Sequence, residues 1–157
     1  LVQVVQASPW VAGRLVKRKK VQMEFDAAPD RERVLALLFH QSELDISPQL
    51  PFETMIQRVK KSEAHVTGGF ALLKKGLPYA RLTVAQSAPD RWALIFSVSH
   101  VVADGYTYYK LLGQLSARAE PAPLHPERHH DFLPRLKEAV GRKAYDTYMG
   151  SVPLIMN

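Results

Sequence analysis

Three observations predict a layered domain of mixed α and β structure. Apolar residues alternate in Val21-Gln22-Met23-Glu24-Phe25 and along Arg91 to Ser99, as in strands. They recur at helical spacing elsewhere, as with Phe52, Met55, Ile56 and Val59, and clusters of turn residues separate the two kinds of segment. Strands mixed with helices in this way make an α/β or α+β layered domain. At 157 residues the chain suits one domain with one core, because a chain of this size buries roughly two thirds of its unfolded surface. Apolar residues at 46% and charged residues at 23% exclude an intrinsically disordered composition.

Each element can be justified in turn. Lys17-Arg18-Lys19-Lys20 sits between Val11 to Val16 and the alternating segment Val21 to Phe25, which reads as a hairpin with a solvated tip. Pro29-Asp30 supplies a turn and an N-cap for a short helix from Arg31 to His40, with Val34, Leu35, Leu37 and Leu38 on its apolar face. Pro51 opens a second amphipathic helix that runs to Lys61, and Gly68-Gly69 breaks the pattern. Beyond the glycines, Phe70 to Leu73 and Tyr79 to Ala85 read as strands, and Ser87-Ala88-Pro89-Asp90 makes the next turn. In Arg91 to Ser99 the residues Trp92, Leu94, Phe96 and Val98 lie on one face and Ala93, Ile95, Ser97 and Ser99 on the other. That strand is expected to be central and buried on both faces. A helix over Tyr106 to Ala119 follows, ended by Glu120-Pro121-Ala122-Pro123, and residues 120–157 form a connection and a last helix from Asp131 to about Met149.

Composition bounds the function classes. No apolar stretch approaches the roughly 20 residues that span a bilayer, and Leu1 to Val11 has no basic leader, so the expectation is a cytoplasmic protein without a membrane span. The absence of cysteine excludes disulfides and thiolate metal sites. The formal charge of +6 comes mostly from scattered residues, and the one basic run lacks interleaved aromatics, so no nucleic-acid partner is expected. That run keeps two readings, a solvated hairpin and a contact for an anionic partner, whether a ligand such as a nucleotide phosphate, acidic lipid or RNA. A start at Leu1 and an end in Val152-Pro153-Leu154-Ile155-Met156 suggest an excerpt of a longer chain.

The chemistry-bearing segment is His100-Val101-Val102-Ala103-Asp104-Gly105, which joins the most apolar strand to the Tyr106 helix. A neutral imidazole at that junction can take a proton from a hydroxyl or amine attacking an electrophile. Asp104 could orient the turn, cap the helix or pair with an arginine, and Gly105 permits a close or left-handed backbone.

Phe96 to Thr107 resembles the HxxxDG signature of the BAHD acyltransferases and their wider chloramphenicol acetyltransferase-like superfamily. Trp10-Val11-Ala12-Gly13-Arg14-Leu15 is similar to the Leu-Ala-Gly-Arg-Leu segment that opens the first lobe in many members, and Leu77 to Ser99 matches the expected lead into the motif. The resemblance implies an α/β chloramphenicol acetyltransferase-like layered fold, a mixed sheet with flanking helices, of which this chain is one lobe. It implies His100 as general base, Asp104 as a loop scaffold held by an arginine, and Gly105 as room at the solvent channel. Arg14, Arg81 and Arg91 are the candidate partners of Asp104. Ser99 stands where condensation domains and chloramphenicol acetyltransferases carry another histidine, which favours the BAHD-like branch.

The resemblance further implies transfer of an acyl group from an acyl thioester, acyl-CoA being the co-substrate, to an alcohol or amine, with no resident cofactor or metal. It covers about residues 8 to 120. The second-lobe signature Asp-Phe-Gly-Trp-Gly is absent, since Asp131-Phe132-Leu133-Pro134 does not match it. Three accounts stay open: a fragment of a two-lobe enzyme, a lobe completed by self-association, and a lobe without activity that serves binding or assembly. Other constellations carry less. His125, His129, His130 and Asp131 have metal-compatible spacing in a proline-bearing connection, and Ser97 and Ser99 lack a nucleophile elbow. Tyr106, Tyr108 and Tyr109 read as core and rim, and His40 and His65 as ordinary helix or surface histidines.

Overall fold

Apolar residues at the start of the chain begin the core. Val4 and Val5 are buried on α1 (Val2–Ala7), and a 3₁₀ turn over Pro9–Ala12 buries Trp10 and Val11. These are the coordinates of a computed structural model that describes residues 1–127 and 131–151. The predicted hairpin follows, β1 (Arg14–Lys17) paired antiparallel with β2 (Val21–Glu24), and its basic tip is exposed.

In α2 (Arg31–Leu38) the Asp30 carboxylate accepts the Arg33 amide at 2.7 Å, which satisfies one of the free donors at the helix start. The helix stops two residues short of the predicted end. Phe39 and His40 instead open β3 (Phe39–Ser42), where parallel pairing with Leu82 and Thr83 outweighs local helix preference. The second amphipathic helix, α3 (Phe52–Lys61), ends where predicted and starts one residue later, with Pro51 as its N-cap, but none of its residues is buried and Phe52 is 69% exposed.

Phe70 to Leu73 is a helix, not a strand. It lies in α4 (Gly69–Lys75), which Gly68 caps and Gly76 terminates in the left-handed region at φ 60°. Four apolar residues fit either period, and the helix is the conformation that drives Leu72 into the core at 1% exposure.

The sheet is built from β3, β4 (Ala80–Ala88) and β5 (Arg91–Val98), with α5 (Gly105–Gln114) after it. Among the described residues its order is β3-β4-β5, parallel on one side of β4 and antiparallel on the other, a small mixed sheet with flanking helices. The expectation of a central Arg91–Ser99 strand is therefore corrected: β4 is central and β5 is an edge. Tyr108 of α5 stacks on Phe96 with ring centroids 5.7 Å apart, but this cover stops short of the hairpin end, where Trp92 and Leu94 are 52% and 56% exposed. An apolar pattern on both faces of a strand marks what it can bury, not what reaches it.

After α5 the chain returns to its beginning. Trp10 Nε1–H donates to the Leu124 carbonyl at 2.6 Å, and the Leu124 N–H donates to Oγ of buried Ser8 at 2.8 Å. Leu1–His125 forms one compact unit, and Pro126–Asn157 forms another. In the second unit the single helix predicted from Asp131 is two, α6 (Phe132–Val140) and α7 (Arg142–Ser151), broken by Gly141 at φ 80°. Among the described residues no helix is long and apolar enough to cross a membrane.

Candidate active site at the end of β5

The residues that precede His100 fix it. Tyr79, fully buried, donates its phenolic proton to the Trp10 carbonyl, while its own carbonyl accepts the Ser99 N–H at 2.8 Å. Burial holds the Tyr79 phenol well above the usual tyrosine range, so it remains a donor. Gly13 belongs to the same junction. A Cβ there would collide with the Tyr79 hydroxyl and lie 2.9 Å from the Glu24 carbonyl, which accounts for the glycine in Ala12-Gly13-Arg14-Leu15. Tyr79 thus joins the two segments that carry the resemblance, a link across 69 residues for which the sequence holds no signal.

The loop itself is tightly turned. Ser99, 6% exposed, accepts the Val102 amide at 3.1 Å on its carbonyl, and Ala103 is buried at 7%. Between them His100 and Val101 face solvent. At the far end the Asp104 carboxylate accepts the Thr107 N–H at 2.8 Å and so caps α5. This bond, with a second from the Thr107 side chain, pulls the carboxyl below its ordinary range against slight desolvation, and the charge of nearby His100 adds to the pull.

The arginine expected at Asp104 is elsewhere. Arg14 Nε and Nη2 both donate to Glu24 Oε2, at 2.9 and 2.7 Å, and Arg81 donates to the Glu63 carbonyl. Among the described residues Asp104 has no ion pair with Arg14, Arg81 or Arg91; its carboxylate instead accepts an orphan amide at the start of α5. Gly105 begins α5 without a positive φ, so the left-handed backbone the sequence allows is not used. A Cβ on it would meet nothing within 4 Å, leaving open space beside the loop.

The remaining candidates separate. Ser97 Oγ accepts the Val66 N–H at 2.9 Å, a structural role on the sheet face. Tyr108 packs inward and its hydroxyl donates to the Phe96 carbonyl at 3.3 Å, whereas Tyr106 and Tyr109 are 70% and 71% exposed. His40 is half-buried on β3, and desolvation with the charge of Arg81 lowers its pKa. His65 is exposed. His129 and His130 lie outside the described residues, and no group of metal-ligating side chains occurs among those described.

Exposed apolar groups lie in the motif and on the two helices next to it, α4 and α5. Phe70, Val101, Tyr106 and Tyr109 are 83%, 40%, 70% and 71% exposed, and Gly69 is so close to Val101 that an added Cβ would lie 2.5 Å from Cγ2. A separate cleft of about 410 Å³ opens between the base of the hairpin, the start of α2 and the Gly76 to Pro78 segment, with Arg14, Phe25, Arg33 and Leu37 in its walls. His100 is not part of it. Comparison of the chain with protein-family models, curated proteins and solved structures finds no match.

Proposed function

We propose that this chain forms one wall of an acyltransferase site of the chloramphenicol acetyltransferase-like type, with His100 as general base and an acyl thioester, acyl-CoA, as donor. One observation carries the reading. The His100 side chain is exposed at a strand end while the backbone on both sides is anchored, through Ser99 to Tyr79 and through Asp104 to α5. A general base needs reach to the acceptor and a fixed position, and this loop supplies both.

In the reaction the acceptor hydroxyl or amine gives its proton to the imidazole as its lone pair bonds to the thioester carbonyl carbon. Collapse of the tetrahedral intermediate breaks the C–S bond, and the imidazolium returns the proton to the leaving thiolate. A positioned base of this kind is worth roughly 10² to 10⁴ in rate. The exposed Phe70, Val101, Tyr106 and Tyr109 around the loop fit a wall that a second lobe or a second copy covers, since exposed apolar clusters mark interaction surfaces.

The second reading is a binding or assembly lobe without catalysis. It is favoured by the cleft beside Arg14, whose walls do not include His100. Thiol release separates the two. The chain has no cysteine, so a thiol reagent reports only the coenzyme set free. Acceptor-dependent release with a panel of acyl-CoAs and simple alcohols and amines is expected. Binding of acyl-CoA without release for any pair would leave the assembly reading.

A further inference from the structure

The basic run at the hairpin tip is not isolated in the fold. Pro78 bridges antiparallel to Arg14 and α4 packs on β1, so the chain leaving α4 runs back along β1 and the last turn of α4 lies on the Lys17 side of Arg14. The end of α4 that carries exposed Lys74 and Lys75 thus lies on the side of Arg14 from which exposed Lys17, Arg18, Lys19 and Lys20 continue, although more than 50 residues of sequence separate the two groups. Glu24 meets this surface but divides its carboxylate between Arg14 and Arg18. The cationic surface therefore keeps a net positive charge.

The other end of α4 touches the candidate site. Gly69 packs against Val101, next to His100, so one helix connects the motif to the lysines. Its length is about 10 Å at 1.5 Å per residue. Phe70 and Lys74 are four residues apart and share a face of that helix. Phe70 is 83% exposed, an aromatic ring that the core does not use.

We infer that the lysine surface formed by α4 and the hairpin tip binds the phosphate groups of the acyl-CoA nucleotide, with the pantetheine arm lying along α4 over Phe70 toward His100. This rests on the acyl-CoA reading of the His100 site. The arm is a flexible, uncharged spacer between thioester and phosphates, with methylene and gem-dimethyl groups between its amides, and α4 offers an apolar ring followed by cations in that order. Multiple ammonium groups around a polyphosphate act together, while each exposed pair alone contributes little.

The test uses the whole 157-residue chain. Binding of coenzyme A, of pantetheine and of an anionic lipid vesicle is measured by calorimetry for the native chain and for a variant combining Lys19→Glu, Lys20→Glu, Lys74→Glu and Lys75→Glu. Charge reversal should weaken coenzyme A by about tenfold or more, leave pantetheine unchanged and make binding less sensitive to salt. Equal affinity of the two proteins for coenzyme A, or vesicle binding in preference to the coenzyme, overturns the inference. In turnover the variant should raise KM for acyl-CoA and leave kcat in place. Lysine-dependent coenzyme binding without any transfer leaves the assembly reading of the lobe and keeps the phosphate surface. Transfer with KM unmoved by charge reversal sinks the surface and keeps the catalytic reading.

Discussion

Ser99 gives its amide proton to the carbonyl of Tyr79 at 2.8 Å, and that bond sets where the chain leaves β5 to begin the His100 loop. Tyr79 is in turn held by its phenol on the Trp10 carbonyl, against Gly13. The position of the candidate base thus depends on a buried tyrosine that would never touch a substrate.

Tyr79→Phe should keep the packing and lose the phenol bond, at a cost of about 1 kcal/mol read by urea denaturation. A pH effect should accompany it. The folded-state pKa lies above the ordinary 10.0, so the folded protein holds a proton that the unfolded chain releases, and stability falls as pH rises beyond about 10. The phenylalanine variant should lack that part of the alkaline loss. An identical alkaline decline in both proteins would mean that Tyr79 is not the buried donor.

Asp104 separates a cap from an ion pair. Asp104→Ala should cost about 1 kcal/mol, because the Thr107 amide loses its acceptor, while Asp104→Asn should lose only a small part of that. If an arginine pair held the loop, asparagine would be as damaging as alanine. The carboxyl is held below its ordinary 3.8, so the charged cap's contribution is present above that value and is lost as pH falls through the folded-state pKa. Acid titration of the asparagine variant should miss this component.

Gly105→Ala tests space against backbone. With no positive φ and no atom within 4 Å of the added Cβ, alanine should leave the fold as stable or up to about 1 kcal/mol more stable. If Gly105 serves to leave room beside His100, acyl transfer should fall in the same variant. A stable variant with full activity would assign the glycine no role at the site.

The parts of the fold that local chemistry encodes were legible in the sequence. The Asp30 cap, the Pro51 helix start and the hairpin around Lys17 to Lys20 follow from residue type and spacing, and all three are present. What failed depends on tertiary cover. The alternation in β5 could not reveal that α5 covers Phe96 but not Trp92 or Leu94. Phe70 to Leu73 was ambiguous in period, though Lys74-Lys75-Gly76 is a helix-end signal that could have decided it. At the site, His100, Asp104 and Gly105 stand out in sequence because they fall in one short segment. The Tyr79 link and the Arg14–Glu24 pair arise from contacts that only folding creates.

The central claim is that His100 is the proton acceptor, and its most direct test is thiol release from acyl-CoA by native protein and His100→Ala under identical conditions. Because His100 is exposed, the substitution should leave the melting temperature within a degree or two of native, as surface changes usually do. The account predicts a fall of about 10² to 10⁴ in the acceptor-dependent rate. A rate equal to that of the native protein, from a variant equally folded, would contradict it.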